Sequence, residues 1–242
     1  MAIVNYQNEA HDLKIVFEDN QIIVVVKPVG LLSQADQTGD PDLYSIVREY
    51  IRVKYQKPGQ AWLGLVHRLD RPVGGLMVFA KTSKAASRLS AQIRNHSFIR
   101  KYQAVCHGII SQEKGLWSDH ISKQKVNGKY IVNIDLDPRY HDKYQDCSLS
   151  FRRLATEPRA KLSLLEVELK TGRSHQIRAQ MKAHGHVLVG DRLYGKITDL
   201  DRDTEGPALF ASFLQFKHPV KEEIMVFKEE SRALPFNLLK LK

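Results

Sequence analysis

Hydrophobic and polar positions along the chain switch between two rhythms. Leu13-Lys14-Ile15-Val16-Phe17 and Ile22-Ile23-Val24-Val25-Val26 are β-branched runs either side of Glu18-Asp19-Asn20. They predict a hairpin whose second strand stops at Pro28 and Gly30. From Pro41 the period lengthens: Leu43, Ile46, Val47, Tyr50 and Ile51 share one helical face, a stripe that marks core. Leu63, Leu65 and Val66 then lead as a strand into a knot of charge, His67-Arg68-Leu69-Asp70-Arg71. Pro72 and Gly74-Gly75 turn the chain there, and an apolar run over 76–80 leaves as a second strand. Ser83 is placed to cap a helix reaching Asn95, with Ala86, Leu89 and Ile93 buried and Lys84, Arg88 and Gln92 on another face.

The second half is less even. Residues 98–105 read as a strand, whereas 111–160 show only short strands and loops around a basic patch at 123–129 and a polar stretch at 135–146. In that patch Lys123, Lys125 and Lys129 are candidates for phosphate contact. The pattern sharpens at Leu162, Leu164, Leu165, Val167 and Leu169, a strand with Glu166 and Glu168 facing the other way. Gly172 breaks it, and Ser174 is placed to cap a helix running to His184-Gly185. Two strands, over 208–219 and 223–227, close the chain. The expected class is α+β.

Composition narrows the possibilities. Of the 242 residues 43% are hydrophobic and 26% charged, as in an ordinary globular protein that can bury a large core. No apolar run approaches the roughly 20 residues of a membrane span. No basic segment followed by an apolar block opens the chain, and two cysteines, Cys106 and Cys147, make no disulfide framework. A cytoplasmic setting is expected. Lys and Arg number 37 against 27 Asp and Glu, a formal charge of +10, which suits a polyanionic partner such as nucleic acid.

Candidate chemistry gathers at two places. Arg68 and Arg71 flank Asp70 at the mouth of its loop, a setting that favours an ionised carboxylate. Arg173 precedes a helix start, where a guanidinium can grip a carboxylate through two parallel hydrogen bonds. His184, His186 and Asp191 offer a competing reading as a metal-dependent phosphoesterase, although two histidines without a clear third ligand are weak evidence.

Four motifs occur in order: Lys27-Pro28-Val29-Gly30, His67-Arg68-Leu69-Asp70 with its glycine turn, Lys101-Tyr102-Gln103-Ala104, and Thr171-Gly172-Arg173-Ser174-His175-Gln176-Ile177-Arg178. Together with the later Gly190-Asp191-Arg192-Leu193-Tyr194-Gly195 turn they resemble the RluA-type pseudouridine synthases. The likeness runs from about Leu13 to Phe227. The chain departs from the family pattern where Val73-Gly74-Gly75 replaces Thr-Ser-Gly, and where Phe210-Ala211 lacks the family's histidine.

The resemblance implies a mixed, mostly antiparallel central sheet with flanking helices and a central active-site cleft. It implies one catalytic domain over residues 1–242, made of two close-packed lobes, without a separate N-terminal RNA-binding domain. The implied activity is isomerisation of specific uridines in ribosomal or transfer RNA to pseudouridine. Asp70 is then the catalytic carboxylate, and three routes stay open for it: addition to C1′, attack on C6, or proton removal to a glycal. Arg173 pairs with Asp70 and Tyr102 stacks on the uracil. Arg68 fills the space of the flipped base, while Arg71, Arg88, Lys101, His175, Gln176 and Arg178 are expected at the RNA, with His67 beside them chiefly as support. No metal and no cofactor are required by a redox-neutral isomerisation, and a monomer is expected. The rival class is a non-catalytic RNA-binding protein on the same fold.

Overall fold

The computed structural model describes residues 4–8, 11–126, 129–135 and 144–239. In chain order its elements are β1 (Val4–Asn8), β2 (His11–Glu18), β3 (Ile22–Lys27), α1 (Leu43–Lys54), β4 (Gly64–Leu65), β5 (Gly74–Ala80) and α2 (Ser83–Arg94). There follow β6 (Ile99–His107), β7 (Lys114–Val126), β8 (Lys129–Asp135), β9 (Gln145–Glu157) and β10 (Leu162–Leu169). The chain continues through α3 (Gln176–Ala183), α4 (Asp199–Asp203), β11 (Leu209–Lys217), β12 (Ile224–Lys228) and a 3-10 turn at Phe236–Leu238. The class is α+β, with mostly antiparallel strands and few helices. The elements divide between two compact units, Met1–Arg100 with Ala211–Glu230, and Lys101–Phe210 with Ser231–Lys242.

In the first unit the strands run in the order β1-β2-β3-β5-β11, with β4 paired to β5 and β12 to β11. The predicted hairpin joins β2 to β3, and Asp19 closes its turn by accepting hydrogen bonds from the amides of Gln21 (2.7 Å) and Ile22 (2.9 Å). Strand β5 is buried along its whole length, which explains its unbroken apolar run. Helix α1 is capped by Asp42, which accepts from the Ser45 amide at 2.9 Å, and it buries the five residues its period picks out. Each such side chain stabilises the fold by about 1.5–3 kcal/mol. Helix α2 is capped by Thr82 rather than Ser83, because Thr82 holds the extended backbone a cap needs while Ser83 is already helical. Its buried residues are accordingly Ala85 and Leu89, with Ala86 and Ile93 at the margin of a core formed with Ile22, Val24, Leu76, Val78 and Phe216.

In the second unit the order is β6-β10-β9-β7-β8, antiparallel in its recorded pairings. The expectation of short strands in 111–160 is corrected here: β7 and β9 are thirteen residues each. Strand β7 hides from a periodicity reading because its buried residues include the polar Asp119 and Ser122, on opposite faces of the strand, while Leu116 faces solvent. Of the polar stretch 135–146, residues 136–143 lie outside the described residues. On β10 the consecutive Leu164 and Leu165 are both buried because both faces of the strand are covered there, while the register shift against β9 leaves its extra residue, Leu154, on β9. Helix α3 starts later than expected. Its cap is His175, not Ser174, with φ of +53° and no side-chain cap bond. The short α4 has no apolar stripe to announce it, but Thr198 and Asp201 form a capping box at its start.

Candidate active site

The loop that carries Asp70 lies between β4 and β5. Its backbone is tied down on both sides of that residue. Ser33 Oγ donates to the Leu69 carbonyl (2.7 Å) and accepts from the Leu69 amide (3.1 Å). The Val73 amide donates to the Asp70 carbonyl at 3.0 Å, closing the turn. Behind the loop, Lys27 at the end of β3 is 0% exposed and donates to the carbonyls of Leu31 (2.6 Å), Pro28 and Arg71 (both 3.0 Å). Burial pushes its ammonium down to about 7, against the opposing pull of Asp70. Sequence reasoning placed Lys27 in a motif and gave it no task. The signal it left was a lysine continuing an otherwise wholly apolar strand.

Gly75 is required where it stands. Its φ is +122°, and a Cβ there would sit 2.4 Å from the Ala211 carbonyl oxygen. Val73, in the departure from the family pattern, is buried instead of polar. Ser33 and Lys27, both distant in sequence, hold the loop from outside it.

The neighbours of Asp70 divide by task. His67 is buried, its Nε2 accepts from the Val78 amide at 3.1 Å, and burial together with Arg100 pushes it down to about 3, so the ring is neutral. Arg68 is exposed and Asp70 half-buried. Arg71 turns back on the protein, with Nε on the Gly30 carbonyl (3.0 Å) and Nη1 on Asp40 (2.6 Å). Arg88 donates to the Pro219 carbonyl, joining α2 to the segment after β11.

The other predicted residues belong to the second unit. Tyr102 on β6 is 6% exposed and pairs with Val167 of β10. Lys101 beside it contacts Glu166 at 3.3 Å. In the loop from β10 to α3, the Arg173 side chain is exposed, with Nε 3.3 Å from the Asp146 carbonyl. Gln176 is buried below it and accepts from the Arg173 amide (3.0 Å) and the Thr171 hydroxyl (2.8 Å). His175 Nδ1 meets the Tyr194 hydroxyl at 3.1 Å. Arg178 is buried, and its fork closes on both oxygens of Asp191 (2.8 and 2.7 Å). The structure thus gives Gln176 and Arg178 internal partners, while Arg68 and Arg173 present exposed guanidinium groups.

The residues of the metal reading have separate partners. His184 pairs with Asp119 at 3.0 Å, Asp191 with Arg178, and His186 Nδ1 lies 3.4 Å from the His107 carbonyl. Among the described residues no group of three His, Cys, Asp or Glu could hold a metal ion.

A family model described as RNA pseudouridylate synthase matches residues 21–183. The chain belongs to that family and is an RNA pseudouridine synthase, an enzyme that isomerises uridine in RNA to pseudouridine. It is 32% identical over 219 residues to the uncharacterized RNA pseudouridine synthase YhcT of Bacillus subtilis, covering 90% of this chain and 68% of that protein. It is 33% identical to ribosomal large subunit pseudouridine synthase D of Zymomonas mobilis, covering 92% and 71%. With tRNA pseudouridine synthase C of Vibrio parahaemolyticus the identity is 30%, over 90% and 89%. The fold also matches human RNA pseudouridylate synthase domain containing 4, with a TM-score of 0.73 at 19% identity over 93% of this chain and 90% of that one. No helix among the described residues is long and apolar enough to cross a membrane.

Proposed function

We propose that Asp70 is the carboxylate that drives cleavage of the C1′–N1 bond of a uridine in structured ribosomal or transfer RNA. The freed uracil turns, C5 bonds to C1′, the C5 proton leaves to solvent and N1 takes up a proton from solvent, so the isomerisation balances without an added reactant. Asp70 acts by addition to C1′ or C6, or by taking the C2′ proton toward a glycal. Arg173 contributes a bidentate guanidinium, and the ion pair with Asp70 expected from the motif is part of this proposal. Tyr102 stacks on the uracil and serves the C5 deprotonation. Reaching the target base requires its eversion from the helical stack, and Arg68 takes the vacated place. Lys101 and His175 border the RNA. The enzyme works as a cytoplasmic monomer.

The observation that carries the reading is the double anchoring of the Asp70 loop, which holds the backbone at Leu69 and Arg71 on either side of that residue. Release of tritium from RNA labelled at C5 of uridine tests it. Asp70→Asn is expected to release none above background while still binding RNA, and a fully active Asp70→Ala would overturn the assignment. Mapping pseudouridines in RNA from cells with and without the gene identifies the target RNA.

A further inference from the structure

Three polar residues, Gln176, Gln180 and His184, recur at every fourth position of α3 and its C-cap, and the two glutamines are buried. Buried amides are costly unless bonded, and these form one directed chain. The Arg173 amide donates to Gln176 Oε1 (3.0 Å), Gln176 Nε2 donates to Gln180 Oε1 (3.0 Å), and Gln180 Nε2 donates to Asp119 Oδ2 (2.7 Å). His184 Nε2 reaches the same carboxylate at 3.0 and 3.2 Å, and its ring stacks on Trp117 with centroids 4.2 Å apart and planes within 1°. Every amide in the series donates toward Asp119, so its negative charge polarises each bond back to the Arg173 backbone. Gln176 also donates to the Ser148 carbonyl (3.1 Å) and accepts from Thr171, which fixes the loop on its other side.

We infer that Asp119 and Gln180 are positioning residues for Arg173, acting through Gln176 to fix the backbone from which the guanidinium projects. The inference rests on the reading of Arg173 as a substrate-side group. Neither residue touches the RNA in this scheme. Asp119 lies on β7 and Gln180 on α3, so the chain ties the RNA-facing loop to two elements that bear no chemistry of their own. Helix α3 lacks a side-chain cap bond at His175, and the Gln176 side chain at its first position reaches back to the Arg173 amide, which lies before the helix.

The test is steady-state kinetics of Asp119→Asn, which keeps the shape and removes the charge, and of Gln180→Met, which keeps Asp119 paired with His184 and Gln176 bonded to Ser148. Exchanging a charged for a neutral hydrogen bond is expected to lower kcat by roughly five- to tenfold and leave KM for RNA within about twofold. The double variant Asp119→Asn, Arg173→Lys should be no slower than Arg173→Lys alone, because one loop geometry is lost in either case. If Asp119→Asn does not fold, Gln180→Met decides. Wild-type kcat in a folded Asp119→Asn or Gln180→Met, or losses that multiply with Arg173→Lys, would overturn the proposal. Wild-type turnover by Arg173→Lys itself would overturn the reading of Arg173, and this inference with it. A crippled Arg173→Lys beside an unimpaired Asp119→Asn would remove the chain alone.

Discussion

Two loops bear the charged groups proposed to act in this enzyme, and they are held by opposite devices. The Asp70 loop is gathered by a buried cation: one ammonium collects three carbonyls, from Pro28, Leu31 and Arg71. The Arg173 loop is held by neutral amides that run to a buried anion, Asp119. A point charge with several donors draws separate backbone strands to one place, which suits a tight turn. An amide series has a fixed direction and fixes orientation over a distance, which suits a long side chain that must project. The first device places a positive charge near a carboxylate, while the second ends on an anion separated from the Arg173 amide by two glutamines.

Substitutions separate these devices by size of effect. Asp70→Asn removes the proposed reacting group and should lower turnover by at least about a thousandfold, the scale seen when a reacting side chain is lost. Arg173→Lys keeps the charge and loses the fork, and a loss in kcat of roughly ten- to a hundredfold with little change in RNA affinity is expected. Equal losses in binding and turnover would mean that Arg173 holds phosphate instead. Both are read from the C5 tritium assay and from RNA titrations.

Lys27→Met should act on stability first. It leaves the Leu31 and Pro28 carbonyls without their ammonium partner, an expected loss of roughly 2 kcal/mol in urea unfolding. The sign of its pH dependence distinguishes the cation device. Lys27 binds its proton less tightly folded, at about 7, than unfolded, near 10.5. The unfolded chain therefore holds the extra proton between those values, and wild-type stability gains on Lys27→Met as pH rises through that window. A pH-independent difference would show that the ammonium is not the operating group.

The smallest effect is expected at Glu18, a carboxylate paired near the start of β3, at the other end of that strand from Lys27, that serves as an internal control. It bonds Lys54 and Lys81 (both 2.6 Å) and accepts from the Tyr50 and Tyr55 hydroxyls. Burial raises its pKa, but these partners outweigh burial and bring it from 4.5 to about 2. Glu18→Gln should lower Tm by a few degrees near neutral pH, the equivalent of roughly 1 kcal/mol, without altering kcat. The contribution is present above 4.5, so the difference from wild type should vanish as pH falls toward 2.

What could be read in advance was whatever a short window of chain encodes. The hairpin at Asp19, the α1 stripe, the fully apolar β5 and the β10 strand all follow from period and turn chemistry. Strand β7 escaped that reading because Asp119 and Ser122 are buried polar residues, and the bonds that make a buried Asp119 tolerable come from Gln180 and His184, 61 and 65 positions away. The His175 start of α3 escaped too, because Gln176 and not Ser174 supplies the polar partner for the loop. The resemblance named Asp70, Tyr102 and Arg173 by their motifs, but nothing in those motifs shows what steadies them.

The sequence by itself determined the strands and helices with strong periods, the class of fold, and the motifs that carry the pseudouridine synthase assignment. Each of these depends on neighbours a few residues apart, whose spacing is fixed by helix and strand geometry. Only the tertiary structure decided that Lys27 is a buried clamp on the Arg71 carbonyl, 44 positions away, and that Arg178 closes on Asp191 instead of facing outward. A buried polar group must find its partner wherever the packed chain brings one, and that partner's identity is a property of the fold rather than of the local sequence.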